Sequence, residues 1–321
     1  ECAEHGRFKA LIEKDANLYR KLMNEEFLEQ RIPFRTIAFS ATHLCNLDCN
    51  QCYLPKHDDY SPTLEDIKRI NSLEDMGRIN LEFKRKSIRI SGGEPTLRED
   101  LPQIIEFFAK NGKPPVILTN GLRLIDINYV RKLKSAGLEW IHFSFNGFNE
   151  KVYERINGQK LLKTKLRALR NIKRIHIKTS LSVMLEKGVN ENELNKIYRY
   201  CLKNNSFIKQ LRIRSAVHIG RHSEKECFYL SEIVKIISKI IGVSEEKLVS
   251  HSLGRGSYFS INRGIHMPCR MEIDLFPLLM NEMGIERAGN SLSKKIQIFF
   301  KLSLKLGVKN MLTVLLRKLI K

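Results

Sequence analysis

Apolar and polar positions along this chain fall into two alternating rhythms. The first segment, Phe8 to Leu28, places Leu11, Ile12, Leu18, Leu22 and Met23 at helical spacing, and Ile32-Pro33 breaks it. From residue 36 short apolar runs alternate with amphipathic stretches. Strands are predicted at Thr36–Ser40, Ser87–Ile90, Val116–Thr119, Trp140–Phe145, Ile175–Met184 and Gln210–Val217. Between them, helices are predicted at Leu64–Leu73, Leu101–Asn111, Ile127–Ala136, Lys160–Lys173 and Glu191–Lys203. Strand and helix alternating in this way is the pattern of repeated β-α units, hence of a parallel sheet or partial barrel.

After Gly220-Arg221 the rhythm changes. Leu230–Ile241 reads as an amphipathic helix, and residues 250–264, rich in Gly and Ser, read as a loop. The chain thus divides into a head over 1–30, a core over 36–220 and a C-terminal extension over 221–321. In the extension, the stretch from Ser291 to Lys321 contains no acid. Phe299, Leu302 and Leu306 share one helical face there, Lys294, Lys301 and Lys305 another, and Leu312, Leu315, Leu316 and Leu319 continue an apolar stripe. Basic amphipathic helices of this kind suit an anionic membrane surface, and equally suit packing on the core.

With 42% hydrophobic and 28% charged residues in 321, the chain has the means to bury a core and is not a disordered one. Its 56 basic against 35 acidic residues give a net charge of +21, which favours anionic partners without choosing among nucleic acid, phosphorylated molecules and membrane. No recognisable RNA- or DNA-binding module accompanies that charge. No apolar run reaches the roughly 18 residues of a membrane-spanning helix. The first residue is Glu1, so part of an N-terminal module is expected to be missing.

Seven cysteines change the picture, because three crowd together. Thr42-His43-Leu44-Cys45-Asn46-Leu47-Asp48-Cys49-Asn50-Gln51-Cys52-Tyr53 carries a C-x3-C-x2-C spacing directly after the first predicted strand. An odd count with one tight cluster argues against a disulfide framework and for a reducing, cytoplasmic setting. Three closely spaced thiolates can wrap one corner of an iron–sulfur cubane and leave the fourth iron open to a chelating small molecule. The alternative is zinc, which in structural sites takes four closed ligands; His43 would have to be the fourth. Ile90-Ser91-Gly92-Gly93-Glu94-Pro95 ends the second strand. Paired glycines there permit close backbone approach, and the adjacent carboxylate could hold an ammonium.

Taken together, the cysteine spacing, its place after the first strand, the trailing aromatic Tyr53 and the GGE sequence resemble the radical S-adenosylmethionine (radical SAM) superfamily. The resemblance implies an α/β fold, a partial (β/α)6 barrel of radical SAM type over about 36–220. It implies a [4Fe-4S] cluster on Cys45, Cys49 and Cys52. S-adenosyl-L-methionine would bind the open iron and be reductively cleaved to a 5′-deoxyadenosyl radical that abstracts a substrate hydrogen. Tyr53 would pack by the adenine, and Gly92, Gly93 and Glu94 would bind the cofactor's amino group. Thr119, Ser144, Asn146 and Ser182, at or near later strand ends, would complete the cofactor bed, with Ser182-Val183 near the adenosine. A cytoplasmic electron donor such as a ferredoxin or flavodoxin is implied as partner.

Arg212 and Arg214 on the sixth strand would meet a carboxylate or phosphate if they face inward, and solvent if they do not. The entry Cys2-Ala3-Glu4-His5-Gly6 resembles the head of a branch that includes tetraether lipid synthase-like proteins, where such a cysteine ends a metal knuckle. Cys201 falls at helical spacing with Leu194, Ile197 and Tyr198 and reads as core. Cys227 and Cys269, even with His266 and Cys2, do not make an auxiliary cluster the preferred reading. Three functions follow as alternatives: hydrogen abstraction from an apolar or lipid substrate by an enzyme peripheral to the membrane; methylation or rearrangement of a small heterocycle, RNA or peptide; and a non-enzymatic iron–sulfur or zinc protein.

Overall fold

The computed structural model describes residues 11, 13–23, 36–54, 58–75, 87–216, 226–246, 248, 259–262 and 270–274. Six parallel strands form in chain order: β1 (Thr36–Thr42), β2 (Ser87–Gly92), β3 (Pro115–Thr119), β4 (Trp140–Ser144), β5 (Lys178–Leu185) and β6 (Ile208–Ser215). Each of β1 to β5 pairs with the next, so the sheet is an open β/α barrel wall rather than a closed ring. Helices α1 (Ala16–Met23), α2 (Leu64–Asp75), α3 (Leu101–Lys110), α4 (Ile127–Ser135), α5 (Glu150–Asn157), α6 (Leu162–Ile175), α7 (Leu194–Lys203) and α8 (Leu230–Ile241) accompany it.

The helix expected over Phe8–Leu28 is corrected at its start, since residues 11 and 13–15 are not helical and α1 begins at Ala16, while residues 24–28 lie outside the described ones. From β1 onward the predicted boundaries hold to within a few residues, and α5 is an addition. Its start is capped by Asn149, whose side chain accepts from Lys151 N, and it stops at Gly158, whose φ of 71° a side chain rarely adopts. Two further strands, β7 (Phe259–Asn262) and β8 (Arg270–Asp274), extend the sheet. The loop expected over 250–264 is therefore corrected: β7 lies inside it, paired antiparallel to β8, which pairs antiparallel to β6. Their alternation of apolar Phe259, Ile261, Met271 and Ile273 with polar neighbours is the strand period at its shortest. By this pairing β6 is an interior strand.

Alternation along the strands decides what faces what. Ile141 and Phe143 of β4, Leu181 and Val183 of β5 and Leu211 and Ile213 of β6 are buried in one core with Ile104, Phe108, Val130, Leu169, Ile172 and Ile197 from the helices. Each such side chain contributes about 1.5–3 kcal/mol on burial. The intervening residues, among them His142, Ser144, Ser182, Arg212 and Arg214, line a cavity on the other face. Cys201 is fully buried in the core, as its spacing predicts. Part of the head is described: Ser231 Oγ donates to Glu13 Oε1 and Lys14 pairs with Glu232 at 3.0 Å, which seats it on α8. Cys2, His266, Cys269 and residues 291–321 lie outside the described residues.

Candidate active site

The three clustered cysteines sit in the loop that leaves β1. Thr42 starts it: its hydroxyl accepts from Leu44 N at 3.1 Å and shares a 2.6 Å hydrogen bond with Ser61. His43 turns away from the cysteines, its ring 2.7 Å from Asp58 Oδ1 and against Tyr60. It is not among the residues lining the cavity, so the geometry gives it no part in a four-ligand zinc site. Further on, Cys52 N donates to Cys49 O at 3.1 Å. The loop is tied to the end of α5: Asn50 donates through its backbone to Ile156 O (2.9 Å) and through its side chain to Arg155 O (2.8 Å). The Asn157 amide donates to Cys49 Sγ at 3.0 Å. Gln51 reaches across to the buried Glu186 carboxylate.

Gly92 and Gly93 are required by this loop. A Cβ on Gly92 would lie 2.1 Å from Thr42 O, and one on Gly93 would lie 2.3 Å from Leu44 O. Contact that close lets Gly93 N donate to Thr42 O (2.7 Å) and Glu94 N to Leu44 O (2.8 Å), which stitches the β2 end to the cysteine loop. Glu94 is fully buried and its carboxylate accepts four hydrogen bonds: from Thr96 N and Oγ1 (3.1 and 2.5 Å), Thr119 Oγ1 (2.7 Å) and Asn120 N (2.7 Å). It organises the β2 and β3 ends from behind and does not line the cavity.

One cavity is lined by Cys45, Cys49 and Cys52, by Tyr53, Gly92 and Gly93, and by Thr119, Ser144, Asn146 and Ser182. Of the residues expected at the site, Glu94 and Val183 stand outside this lining. Val183 points to the core instead. Asn146 is held by its own network: its Oδ1 accepts from Met184 N (3.0 Å) and its carbonyl accepts from Asn190 Nδ2 (3.0 Å). Arg212 and Arg214 face inward and line the same cavity.

Burial raises all three thiols above their ordinary range, Cys45 to about 11; the Asn157 amide offsets part of this at Cys49. Ligation by iron would displace those protons, since thiolate is the ligand form. The donor set fits an iron–sulfur cluster: three half-buried thiols line one cavity together with the Gly92-Gly93 turn. Among the described residues no three His, Cys, Asp or Glu side chains converge closely enough to share a single metal ion.

Two residues of the site escape sequence reasoning. Lys165 of α6 is only 1% exposed, and its Nζ donates to Asn120 O (2.6 Å) and Ser144 O (3.0 Å), joining the ends of β3 and β4. Desolvation pushes it down to about 8, against the pull of the Cys49, Glu94 and Cys45 charges. A signal existed: Lys165 lies four residues after Leu161 and four before Leu169, on the buried stripe. Asn157 carried none beyond its place before Gly158.

The Radical SAM superfamily model matches residues 39–201, from β1 to α7, and the chain belongs to this superfamily. The superfamily implies a [4Fe-4S] cluster and S-adenosylmethionine, and its members are enzymes. Among curated relatives, a 7,8-dihydro-6-hydroxymethylpterin dimethyltransferase from Methanocaldococcus jannaschii is 34% identical over 252 residues, covering 70% of this chain and 49% of that protein. A probable GTP 3′,8-cyclase from Saccharolobus islandicus is 29% identical over 214 residues, covering 65% of this chain and 66% of that one. The chain therefore spans about half the length of the first relative and about two thirds of the second. Among solved structures, Streptococcus suis SuiB bound to precursor peptide SuiA superposes with a TM-score of 0.55 at 17% identity, covering 73% of this chain and 53% of that one. That likeness supports the partial-barrel fold.

Proposed function

We propose that this chain is a radical SAM enzyme acting on a small nitrogen heterocycle, with its cluster on Cys45, Cys49 and Cys52. The observation that carries the reading is the single cavity shared by the three thiols, the Gly92-Gly93 turn and the polar strand-end residues of β3 to β6. When bound, the cluster and S-adenosylmethionine supply reductive carbon–sulfur cleavage and a 5′-deoxyadenosyl radical. The protein's own part is positional. Gly92 and Gly93 bring the β2 end against the cysteine loop. Thr119, Ser144, Asn146 and Ser182 offer polar groups to the cofactor, and Tyr53 offers a ring to its adenine. Glu94 and Lys165 hold the strand ends that carry these groups. An electron donor of ferredoxin or flavodoxin type completes the scheme.

The heterocycle rests on the relatives, one named for a pterin and the other for GTP, both fused-ring nitrogen compounds. The lipid substrate and membrane docking expected from the head and tail depend on residues 1–6 and 291–321, outside the described ones. Among the described residues no helix is long and apolar enough to cross a membrane. Anaerobic reconstitution with iron and sulfide, followed by S-adenosylmethionine and dithionite, tests the proposal. Wild-type protein should release 5′-deoxyadenosine, and Cys49→Ala should lose both the cluster's absorption and the product. A Cys49→Ala protein that cleaves the cofactor at the wild-type rate refutes it.

A further inference from the structure

We propose that the outer face of α5, with Lys151 and Arg155 at its centre, is the docking surface for an acidic one-electron carrier protein that feeds the cluster. The proposal rests on the radical SAM reading above and gives its electron donor a place on the molecule. An open basin of about 690 Å³ lies there, lined by Lys151 and Arg155 of α5, by Glu186 and Lys187 just after β5, and by Glu226. It shares no lining residue with the cavity of the three thiols. A partner seated in the basin therefore stays clear of the substrate and meets the cysteine loop from behind.

The way from basin to thiols is short. Asn50, the residue after Cys49, donates through its backbone to Ile156 O at 2.9 Å and through its side chain to Arg155 O at 2.8 Å. Asn157, two residues after Arg155, donates to Cys49 Sγ at 3.0 Å. Gln51, the residue before Cys52, reaches Glu186 on the basin wall. Along each of these lines one hydrogen bond and one or two residues join the basin to a cluster ligand. In the step itself one electron leaves the reduced carrier and enters the oxidised cluster; no bond forms or breaks and no proton moves.

Charge selects the partner. Lys151 and Arg155 stand one turn apart on α5, both exposed, and neither has a carboxylate within ion-pair distance among the described residues. Lys187, by contrast, is taken up by Glu226 at 2.8 Å. No acid stands between Glu154 and Glu186, a stretch that holds nine lysines and arginines, so the segment beginning at the end of α5 is basic throughout. Such a field steers an acidic protein toward this face. A phosphate chain suits the basin less well, because Glu186 and Glu226 stand in it and repel a uniformly negative strand. A folded acidic protein carries both signs and sets a cation against them.

Calorimetry of the reconstituted full chain with an oxidised acidic flavodoxin reads the docking. Anaerobic stopped-flow with the same flavodoxin in reduced form, in the presence of S-adenosylmethionine, reads electron delivery. Lys151→Glu and Arg155→Glu together should weaken binding and slow delivery at least about tenfold at low salt. In wild type the affinity should fall as salt rises from about 0.01 M to about 1 M, where the Debye length shrinks from about 30 Å to about 3 Å. Dithionite, which needs no docking, should reduce wild type and variants at the same rate. Arg155 lies in the last turn of α5, where a carboxylate opposes the helix dipole. If Arg155→Glu melts early, Lys151→Glu carries the test alone, since an acid in the first turn suits that dipole. Variants that bind the flavodoxin and accept its electron as wild type does overturn the proposal. So does a loss shared with dithionite, and so does an RNA oligomer that binds this face while the flavodoxin does not. Failure of the radical SAM reading shows separately, as wild-type protein that gives no 5′-deoxyadenosine with dithionite.

Discussion

Replacing Lys165 with Met removes an ammonium from the interior while keeping most of the stem that fills its place. In the folded protein desolvation lowers this group from 10.5 to about 8, so the folded state gives up its proton before the unfolded chain does. Between those values the unfolded state binds more protons, and stability rises with pH. Below pH 8 the folded state carries the full cost of a buried charge. Integrated from pH 8 to pH 9, the gain is about 1 kcal/mol, approaching a limit of about 3 kcal/mol near pH 10.5. The thiols act in the opposite sense. Cys45, Cys49 and Cys52 are raised from 9.0, so they hold protons in the folded state that the unfolded chain has lost, and stability falls as pH climbs past 9. Because the thiols already titrate in the unfolded chain between pH 8 and 9, the lysine contribution is read as the difference between wild type and Lys165→Met, in which the thiol contributions cancel. Urea unfolding of the reduced apoprotein at pH 7, 8 and 9 should show wild type gaining about 1 kcal/mol relative to Lys165→Met over the last interval, whatever the common trend of the two curves. Over the same interval Lys165→Met should lose stability, because the raised thiols, Cys201 among them, then titrate unopposed. Parallel profiles for the two proteins would refute the argument.

Asn157→Leu removes the amide that donates to Cys49 Sγ at 3.0 Å. Alkylation of Cys49 in the apoprotein should then require a pH about one unit higher, the equivalent of one hydrogen bond of roughly 1–1.5 kcal/mol; an unshifted profile denies the bond. Glu94→Ala leaves four donors without their acceptor in a fully buried place. It should cost about 3 kcal/mol or more of stability by chemical denaturation, before any effect on cofactor binding. A variant as stable as wild type with weakened cofactor binding would return Glu94 to direct contact.

Much of this arrangement is legible in the sequence, for reasons that differ by residue. The β-α rhythm is written in the apolar runs because each parallel strand buries one face against helices, as Ile141 and Phe143 do. Cys45, Cys49 and Cys52 are legible because a site local in sequence leaves its spacing behind. Gly92-Gly93 is legible as a close approach, although the approaching group in the structure is the Thr42–Leu44 backbone. Glu94 is misleading: a carboxylate beside glycines invites a ligand, whereas its partners Thr119 and Asn120 are 25 and 26 residues away and satisfy it internally. Lys165 hides because a lysine in a helix ordinarily lies in solvent, and only its place on the Leu161–Leu169 stripe says otherwise. β7 and β8 are four and five residues long and follow the end of the repeating rhythm, so their alternation has little length in which to show.

The hydrogen bonds from the cysteine loop to α5 and beyond carry a consequence for the order of events during synthesis. Asn50 meets Arg155 across 105 residues, Cys49 meets Asn157 across 108, and Gln51 meets Glu186 across 135. As the ribosome delivers the chain from its N-terminal side, the cysteines emerge long before the segments that fix their geometry. Closing contacts of such separation is slow compared with forming a helix or a turn. The loop therefore reaches its folded shape only after β5 has joined the sheet, and it spends that interval as three exposed thiols. Iron delivery to this chain is on this account a late event, made to a nearly finished barrel, and the nascent cysteines need reducing surroundings until then.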